Sequence, residues 1–546
     1  MDAMVRTLAP MLVRPWRFAG LALGMATVAG TVMRAAVRTR QGARLTPGDD
    51  APWTASRLKQ VMREHLPGQR LIVVSNREPL IHNGNGIAPQ HAVSGLVTAL
   101  EPVMRACSGV WVAHGSGTAD RQASDSNGRV TVSGDGGSYI LRRVWLTDDE
   151  ERGYYDGCAN EALWPLCHRA HAQPLFRRDD WAHYRRVNQR FADAVADEAG
   201  SDEPLVLEQD YHFALVPRML RDRFPRATIL TFWHVPWPNA DRFTICPYRN
   251  ELLDGLLGST IIGLQTSPDC RNFLESVDKT LESRVDRETM AIAHQGHTTA
   301  VRPYPISIEW PSKWALASPS VSECREAVRH DLEVGRDARM VVSVDRLDYT
   351  KGIEERLLTL EKVLERWPKS EEPPVFVQIA SPSRVRIDRY REFGERIRGC
   401  IDRINARFGA GGRPPVVFIN RHCEPPEIFR YYRAADICYV SSLHDGMNPV
   451  AKEFVAARDD ELGVLVLSGF AGASRELTEA LVVNPYDLDG VADTLFAALA
   501  MPPAEQCDRM RSMRAVVSAH NVYEWAGTML IDAARSQRNW RSPVSV

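Results

Sequence analysis

The sequence contains few of the features that mark metal, disulfide or nucleic-acid sites. Its 10 cysteines form no C-x-x-C pair and no cluster with histidine at metal-ligand spacing. The absence of these motifs argues against a structural zinc, and the scattered cysteines favour a reducing compartment. The formal net charge of the 546 residues is −2, so no overall basic field points to nucleic acid as a partner. Any anion site must therefore come from the local placement of cations.

The sequence also has no uninterrupted apolar run of membrane-spanning length. Its nearest candidate, Phe18 to Met33, falls short of the about 20 residues that a membrane helix needs. A cleaved signal peptide, a weak anchor and a disordered extension all remain open for residues 1–50. Arginine is more frequent after this run than before it, which favours a cytoplasmic body if the segment inserts. We therefore expect a cytoplasmic protein whose contact with the inner membrane, if it has any, is made through residues 14–40.

Beyond a linker at 46–51, short apolar runs alternate with charged, helix-like segments. The first series has candidate strands at 71–74, 110–113, 138–146, 205–207, 227–232 and 261–264. The second series follows a crossing segment at 303–308, with candidate strands at 340–344, 375–379, 416–419, 437–440 and 464–467. Two such α/β series predict two facing, doubly wound Rossmann-like domains with a ligand cleft between them. We place these domains at 68–305 and 306–515, and we expect a C-terminal helix within 516–546 to pack back on the first domain.

Polar residues follow many of the predicted strands, and one such stretch carries two cations. Arg346 and Lys351 come directly after the apolar run at 340–344, and Gly352 then opens a charged helix. A cationic pair outside the carboxyl end of a strand, beside a helix N-terminus, can hold a phosphorylated ligand. The alternative is a loop with two solvated cations and a local ion pair to Asp345 or Asp348.

The run from Ser441 to Glu453 is the strongest single signal in the second series. A strand ends there, a glycine-containing turn follows, and a helix begins near Asn448. Backbone N–H groups at that helix start can bind a diphosphate, and the Glu453 carboxylate can accept from a ribose diol. Asp445 can accept from sugar hydroxyls. The alternative is a capped helix with Glu453 as an ordinary surface acid.

Eight motifs follow one another along the chain. They are Ser75-Asn76-Arg77, Tyr154-Tyr155, Leu163-Trp164-Pro165, Gln209-Asp210-Tyr211-His212, Trp233-His234-Val235-Pro236, Asp345 to Gly352, His444 to Glu453, and Asn484-Pro485-Tyr486-Asp487. In type and order they resemble the motifs of the trehalose-6-phosphate synthase family, retaining glycosyltransferases with two Rossmann-like domains of the GT-B type. The resemblance covers about residues 68–535.

The resemblance implies roles for particular residues. The implied donor-binding residues are Gly95, Arg346, Lys351, Asp445, Gly446, Met447, Asn448, Val450 and Glu453. The implied acceptor-binding residues are Arg77, Tyr155, Trp164, Asp210 and Arg384. The implied catalytic residues are His234, Asp210, Arg346 and Lys351. The resemblance also implies Gln265 as a site residue, of lower importance than these.

The resemblance implies synthesis of α,α-trehalose 6-phosphate from a nucleotide-glucose, expected to be UDP-glucose, and glucose 6-phosphate. We expect no cofactor and no metal, because cationic side chains can stabilise the leaving diphosphate. Two alternatives remain: a glucosyltransferase with another phosphorylated acceptor, such as glycerol 3-phosphate, and a non-catalytic sugar-phosphate sensor. The sequence leaves homo-oligomer formation open.

Three residues depart from the family pattern. Ser94 stands where the family has the first of two adjacent glycines, and Gln209 stands where a histidine often precedes the Asp-Tyr-His run. Pro449 replaces an apolar residue whose backbone N–H would help to hold the donor, and proline has no N–H. The changes at Ser94 and Pro449 touch the donor side, so they bear on which nucleotide is used.

Overall fold

The computed structural model describes residues 52–84, 90–91, 95–134, 136–335, 337–368, 370–409 and 413–541. The predicted extension at 1–50, with the segment 14–40, lies outside these ranges, as does Ser94. Trp53–Val546 forms one compact unit. The domain boundaries given above remain predictions.

The first half of this unit is built on a ten-stranded sheet, ordered β10-β11-β12-β9-β8-β7-β1-β4-β6-β5. The strands between β12 and β6 are parallel, while β10, β11 and β5 pair antiparallel at the two edges. The bounds are β1 Leu71–Arg77, β4 Val110–His114, β5 Arg129–Gly134, β6 Gly137–Val144, β7 Leu205–Gln209, β8 Thr228–Trp233, β9 Ile261–Leu264, β10 Arg284–Asp286, β11 Ala291–His294 and β12 His297–Pro303. A small separate pair consists of β2 Leu80–Ile81 and β3 Gln90–His91.

The second half is built on a six-stranded parallel sheet. Its strands are β13 Met340–Arg346, β14 Val375–Ser381, β15 Val416–Ile419, β16 Ile437–Val440, β17 Val464–Ser468 and β18 Leu481–Val483. Their order is β15-β14-β13-β16-β17-β18, which is the 3-2-1-4-5-6 arrangement of a dinucleotide-binding fold. The chain reverses direction of winding between β13 and β16, so the loops after these two strands border the crevice where ligands bind.

Helices cover both faces of the two sheets. In the first half they are α1 Ala55–His65, α2 Gly95–Cys107, α3 Asp120–Ala123, α4 Asp148–Glu151, α5 Trp164–Cys167, α6 Arg178–Glu198, α7 Val216–Arg223, α8 Ala240–Phe243, α9 Arg249–Leu256 and α10 Ser267–Thr280. In the second half they are α11 Lys313–Ala317, α12 Val321–Asp331, α13 Ile353–Arg366, α14 Asp388–Phe408, α15 Pro425–Ala434, α16 Pro449–Ala457, α17 Leu488–Ala500, α18 Pro503–Ala519 and α19 Val522–Arg541. A π-helix, Arg152–Leu163, joins α4 to α5.

The C-terminal helix α19 packs against α1, α2 and β8 of the first half. The ring of Trp525 meets that of Phe232 on β8 edge-on, with 5.0 Å between ring centres. The sequence predicted a C-terminal helix within 516–546, and in the structure this helix begins at Val522, after a break at His520 and Asn521 that separates it from α18. The Asn521 side chain accepts from the backbone N–H groups of Tyr523 and Glu524, which caps α19.

The predicted fold class, two facing α/β domains with parallel sheets, is confirmed. The apolar runs predicted as parallel strands are strands, because both faces of such strands are buried and their sequences are nearly continuous in apolar residues. Strand β5 at one end of the first sheet and strands β10, β11 and β12 at the other were not predicted, since their partly exposed residues dilute the apolar pattern.

Candidate active site

Lys351 and Asp445 meet across the crevice at the centre of the second sheet. Lys351 follows β13 and Asp445 follows β16, and the Lys351 Nζ lies 2.6 Å from the Asp445 Oδ2. Ser442 Oγ and Asn448 Nδ2 also donate to that oxygen, at 3.2 Å and 3.1 Å. Burial acts to raise the pKa of Asp445, but Lys351 outweighs it and holds that pKa below its usual range. The carboxylate is therefore ionised and its position is fixed.

The local ion pairs considered for the Arg346 and Lys351 loop do not form. Asp345 pairs instead with Arg356, at 2.7 Å, and Asp348 pairs with Arg384, at 2.7 Å. Lys351 points to Asp445, so the alternative of a locally paired loop is wrong. The two aspartates instead tie the strand end to residues from helix α13 and from the loop after β14, which fixes the cationic loop at the cleft.

Arg384 crosses the cleft from the second half and lies over Trp164 of the first. Its guanidinium carbon is 4.0 Å from the centre of the indole ring. Asp348 and the Tyr390 hydroxyl accept from its Nη1, at 2.7 Å and 2.6 Å. Arg346 lies over the same indole at 5.4 Å. Trp164 therefore lies beside an arginine from each of the predicted substrate sites.

Three polar atoms of cleft residues are buried and have no hydrogen-bond partner among the described residues: Trp164 Nε1, Arg384 Nε and Ser383 Oγ. All three residues line the cleft. Two of these atoms are obligate donors and the hydroxyl can donate, so together they offer hydrogen bonds to an anion. Buried polar groups in folded proteins are nearly always satisfied, so these atoms point to a ligand. Ser383 was not predicted as a site residue.

The π-helix brings Tyr155 and Trp164 to the same wall of the cleft. The two residues are nine positions apart, which in an α-helix of 3.6 residues per turn would place them on opposite faces. The wider i to i+5 turn of a π-helix brings such positions back onto one face. π-Helical turns frequently occur at functional sites. The local sequence at 152–163 carries no signal that distinguishes this geometry from an α-helix.

Tyr155 lies among the cations of the predicted acceptor site. Its ring stacks on His212, with 5.8 Å between ring centres and 12° between the planes. Burial alone would raise the pKa of the phenol, but Arg77, Arg384 and Arg346 together lower it to about 8. Arg77 itself is exposed and lines the cleft.

Asp210 and His234 follow the neighbouring strands β7 and β8 and are joined by a hydrogen bond. The His234 backbone N–H donates to the Asp210 Oδ1 at 3.1 Å. Burial raises the pKa of Asp210 to about 7, against three backbone N–H groups and Arg346, which lower it. Burial also lowers the pKa of His234 to about 3, so its imidazole is neutral at physiological pH.

Gln209, one of the departures from the family pattern, orients the imidazole of His234. Its Oε1 lies 2.7 Å from the His234 Nε2, and its Nε2 donates to the Glu208 carbonyl at 3.2 Å. That second bond fixes the amide, so the His234 Nε2 must be the donor and its Nδ1 carries a lone pair. Gln209 is thus a positioning residue that the sequence did not reveal as such.

Gly446 lies behind the cleft, where it contacts the backbone of His234. It is the one predicted site residue that does not line the cavity. A Cβ atom at this position would come within 2.1 Å of the His234 carbonyl oxygen. Gln265 donates to the same oxygen at 3.2 Å and accepts from the Ile306 N–H at 3.0 Å. Glycine therefore allows the two halves of the unit to approach at His234.

The start of α16 carries several of the predicted donor-binding residues and lines the cleft. Asn448 caps this helix by accepting from the Ala451 N–H at 3.3 Å, and Pro449 is its first residue. A Cβ atom on Gly95 would lie 3.5 Å from the Pro449 Cγ, so these two positions face each other. Glu453 lies one turn further, where burial raises the pKa of its carboxyl and the Tyr432 hydroxyl donates to its Oε2 at 3.2 Å. It is not an ordinary surface acid.

These residues enclose a cavity of about 380 Å³ between the two sheets. Among the residues that line it are Arg77, Gly95, Tyr155, Trp164, Asp210, His234, Arg346, Lys351, Arg384, Asp445, Met447, Asn448, Val450 and Glu453. The structure therefore brings together every predicted site residue except Gly446. It adds His168, His212, Ser383 and His422 to the lining.

Three site residues have a backbone conformation that non-glycine residues rarely adopt. The φ angles are +75° for Asp210, +52° for Arg384 and +74° for Asn448. Such positions cost about 1–3 kcal/mol each and concentrate at functional sites, where the surrounding structure holds them in place. Each aims its side chain from a loop at the cleft.

Within the described ranges, no group of three or more His, Cys, Asp or Glu side chains is arranged to hold a metal ion. Over the same part of the chain, the helices are too short or too polar to cross a membrane. The ten cysteines are all free.

The sequence profile of glycosyltransferase family 20 matches residues 69–535. The chain belongs to glycosyltransferase family 20. Within that family, the trehalose-6-phosphate synthase of Mycobacterium sp. (strain KMS) is 38% identical over 485 residues, which make up 87% of this chain and 96% of that protein. The trehalose-6-phosphate synthase of Mycobacterium avium (strain 104) is 36% identical over 479 residues, or 85% of this chain and 95% of that protein.

Solved structures of similar proteins show the same architecture. An E. coli structure with bound UDP-2-fluoro glucose has a TM-score of 0.75 and 31% identity, and the match covers 86% of this chain and 99% of that chain. An α,α-trehalose-phosphate synthase (UDP-forming) from Burkholderia xenovorans, in complex with glucose 6-phosphate, also has a TM-score of 0.75 and 31% identity. That match covers 85% of this chain and 99% of the other. The predicted GT-B fold and family resemblance are confirmed.

Proposed function

We propose that this family 20 glucosyltransferase makes α,α-trehalose 6-phosphate from UDP-glucose and glucose 6-phosphate. The observation that carries the proposal is a single cleft with two separate groups of anion-binding side chains. One group is Arg346 and Lys351, beside the crevice of the second sheet. The other combines Arg77 and Arg384 with the unsatisfied donors at Trp164 and Ser383. A reaction between a nucleoside diphosphate sugar and a sugar phosphate needs these two sites at once.

The relatives support this choice of substrates. The two mycobacterial proteins are trehalose-6-phosphate synthases, and the Burkholderia enzyme is a UDP-forming one solved with glucose 6-phosphate. The E. coli structure holds UDP-2-fluoro glucose. Small-molecule substrates are therefore the partners that we assign to this chain, with UDP-glucose as the donor and glucose 6-phosphate as the acceptor.

In the proposed reaction, the bond from the glucose anomeric carbon to the β-phosphate oxygen breaks as the anomeric hydroxyl of glucose 6-phosphate forms a new bond to that carbon. Arg346 and Lys351 stabilise the negative charge that develops on the leaving UDP. The leaving phosphate takes the proton from the attacking hydroxyl on the same face, which retains the anomeric configuration. We assign this charge stabilisation to the two side chains and propose that no metal or cofactor is needed.

Asp210 and His234 position the reacting groups in this proposal. Asp210 accepts a hydrogen bond from the acceptor sugar close to the attacking hydroxyl. His234, held neutral by burial and oriented by Gln209, presents its Nδ1 lone pair beside the donor sugar. The reacting atoms must be held about 3–3.5 Å apart, which explains why several bonds fix these two side chains.

The test is an assay of the full-length protein with a small matrix of donors and acceptors, followed by mass spectrometry of the products. We expect UDP release and trehalose 6-phosphate with UDP-glucose and glucose 6-phosphate. Release with glycerol 3-phosphate but not with glucose 6-phosphate would assign the acceptor to the glycerol class. Binding of both substrates without any product would identify a sensor. The cytoplasmic location, the membrane contact of residues 14–40 and a homo-oligomer stay predictions.

A further inference from the structure

His168 lies one residue beyond α5 and belongs to neither predicted substrate set. It is 1% exposed and lines the cleft. Its ring packs on that of Trp164, with 4.1 Å between ring centres. The same ring meets His444 of the second half edge-on at 6.1 Å, and His444 directly precedes Asp445. His168 therefore lies between Trp164, a predicted acceptor residue, and the loop that carries Asp445, a predicted donor residue.

One hydrogen bond determines the tautomer of this histidine. The His168 Nδ1 lies 2.8 Å from the Trp164 carbonyl oxygen. Because a carbonyl oxygen only accepts, Nδ1 must carry the proton. Burial lowers the pKa of His168 to about 4, so the ring is neutral and its Nε2 is a bare lone pair. No hydrogen-bond donor from the described residues reaches that nitrogen.

A bare lone pair restricts the ligand that His168 can bind. It cannot pair with a phosphate oxygen, which is itself an acceptor, so its partner must bring a hydrogen. In a cleft that takes UDP-glucose and glucose 6-phosphate, the groups that bring a hydrogen are the sugar hydroxyls and the uracil N–H. The ring of His168 contacts His444, which directly precedes Asp445, and both His168 and Asp445 line the cleft, so a hydroxyl of the donor sugar is the partner that this position favours.

We propose that the Nε2 of His168 accepts a hydrogen bond from a hydroxyl of the transferred glucose, so that His168 helps to select the donor sugar. The inference rests on the proposed function, because it takes UDP-glucose as the donor. His444 keeps the ring in place through its edge contact, and the Arg169 N–H in turn donates to the His444 Nδ1 at 3.2 Å.

Two substitutions separate a sugar contact from packing. His168→Asn keeps an N–H that can reach the Trp164 carbonyl but has no acceptor at the position of Nε2. His168→Gln keeps a polar atom near the position of Nε2 and can restore the acceptor. His330→Asn is the matched surface control, since its side chain is 88% exposed. All three are compared with the wild-type full chain.

Calorimetric binding of UDP-glucose and of UDP is the first readout. We expect His168→Asn to weaken UDP-glucose binding about tenfold and to leave UDP binding unchanged, as for one lost hydrogen bond. His168→Gln should recover most of the loss, and His330→Asn should match the wild type. Equal affinities of wild type and His168→Asn for UDP-glucose would overturn the proposal, and so would parallel losses for UDP-glucose and UDP.

Donors that lack one hydroxyl provide the second readout. Among the 2-, 3-, 4- and 6-deoxy analogues of UDP-glucose, one should bind the wild type about tenfold more weakly than UDP-glucose does. The same analogue should bind His168→Asn as tightly as UDP-glucose does. If every analogue lost affinity by the same factor in both proteins, the proposed contact would be wrong. If His168→Asn raised only the KM for glucose 6-phosphate, His168 would belong to the acceptor site beside Trp164 and the proposal would be wrong. Wild type without affinity for UDP-glucose would overturn the proposed function and, with it, this inference.

Discussion

The guanidinium carbon of Arg384 lies 4.0 Å from the centre of the Trp164 ring, so an arginine of one half of the cleft covers an indole of the other. Arg384 is held in this place by Asp348 and Tyr390 and by a backbone with φ of +52°. The contact exists only when the two halves are this close. The predicted acceptor residues therefore come together in the same arrangement that brings the predicted donor cations near.

Arg384→Lys tests whether this geometry, and not charge alone, holds the acceptor phosphate. Lysine keeps the charge but cannot stack on the indole or offer a planar fork, so we expect the KM for glucose 6-phosphate to rise about tenfold. The KM for UDP-glucose should change little. The control is Arg391→Lys, which changes a 56% exposed side chain on the following helix. A higher KM for the donor alone would contradict the assignment.

Lys351→Ala tests the diphosphate site. Removal of one preorganised charge should cost about 2–4 kcal/mol of transition-state stabilisation, measured as kcat/KM. Lys362→Ala is the matched control, because Lys362 pairs on the surface with Asp489, whose side chain is 74% exposed. The kcat/KM of Arg346→Ala should fall by a similar factor. Near wild-type turnover in both cleft variants would refute the role of these cations.

Tyr155 should make acceptor binding depend on pH. Its pKa of about 8 means that the hydroxyl loses its proton as pH rises through about 8. The phenolate then pairs with Arg77 and Arg384 and repels the acceptor phosphate, so the KM for glucose 6-phosphate should rise above that pH. Tyr155→Phe should show a flatter profile over the same range. The donor KM, measured in parallel, serves as the internal control, and equal slopes in both enzymes would contradict the prediction.

Asp210→Asn should lower the activity of the protein and raise its thermal stability above neutral pH. The folded protein retains the Asp210 proton up to a pKa of about 7, whereas the unfolded chain loses it near 3.8. Unfolding therefore releases a proton between these values, and the stability of the wild type falls as pH rises through this window. Asparagine cannot ionise and tolerates the φ of +75°. We expect a higher Tm than wild type at pH 8, little difference at pH 4, and about 10²-fold lower kcat.

The sequence predicted most of the cleft because strand ends carry clear signals. A buried parallel strand reads as an apolar run, and the polar residue that follows it must lie at one edge of the sheet. Arg77, Asp210, His234, Arg346 and Asp445 all follow predicted strands. Position alone indicated Arg346 and Asp445 as site residues, and the family resemblance implied the roles of Arg77, Asp210 and His234. Their spatial neighbours then followed from the topology of two doubly wound sheets.

The remaining features depend on contacts that no local pattern encodes. Gln209 differs from the family residue, yet its role as the partner of His234 depends on a neighbouring strand. The π-helix that aligns Tyr155 with Trp164 has no distinctive composition. His168 and Ser383 enter the cleft through the approach of the two halves. Gly446 was expected to touch the donor, but its lack of a side chain serves the close approach to His234.

Pro449→Leu should strengthen donor binding, because it restores a hydrogen-bond donor that the family pattern has and this chain lacks. Pro449 is the first residue of α16 and lines the cleft, where a backbone N–H at a helix start can bind a phosphate oxygen. A hydrogen bond to a charged group contributes about 1.5–3 kcal/mol, so the KM for UDP-glucose should fall about tenfold or more. Gly95 has no side chain to obstruct the larger residue. Pro503→Leu makes the same change at the exposed start of α18 and should leave the donor KM unchanged. A donor KM that stays constant or rises in Pro449→Leu would mean that the diphosphate does not reach this helix start.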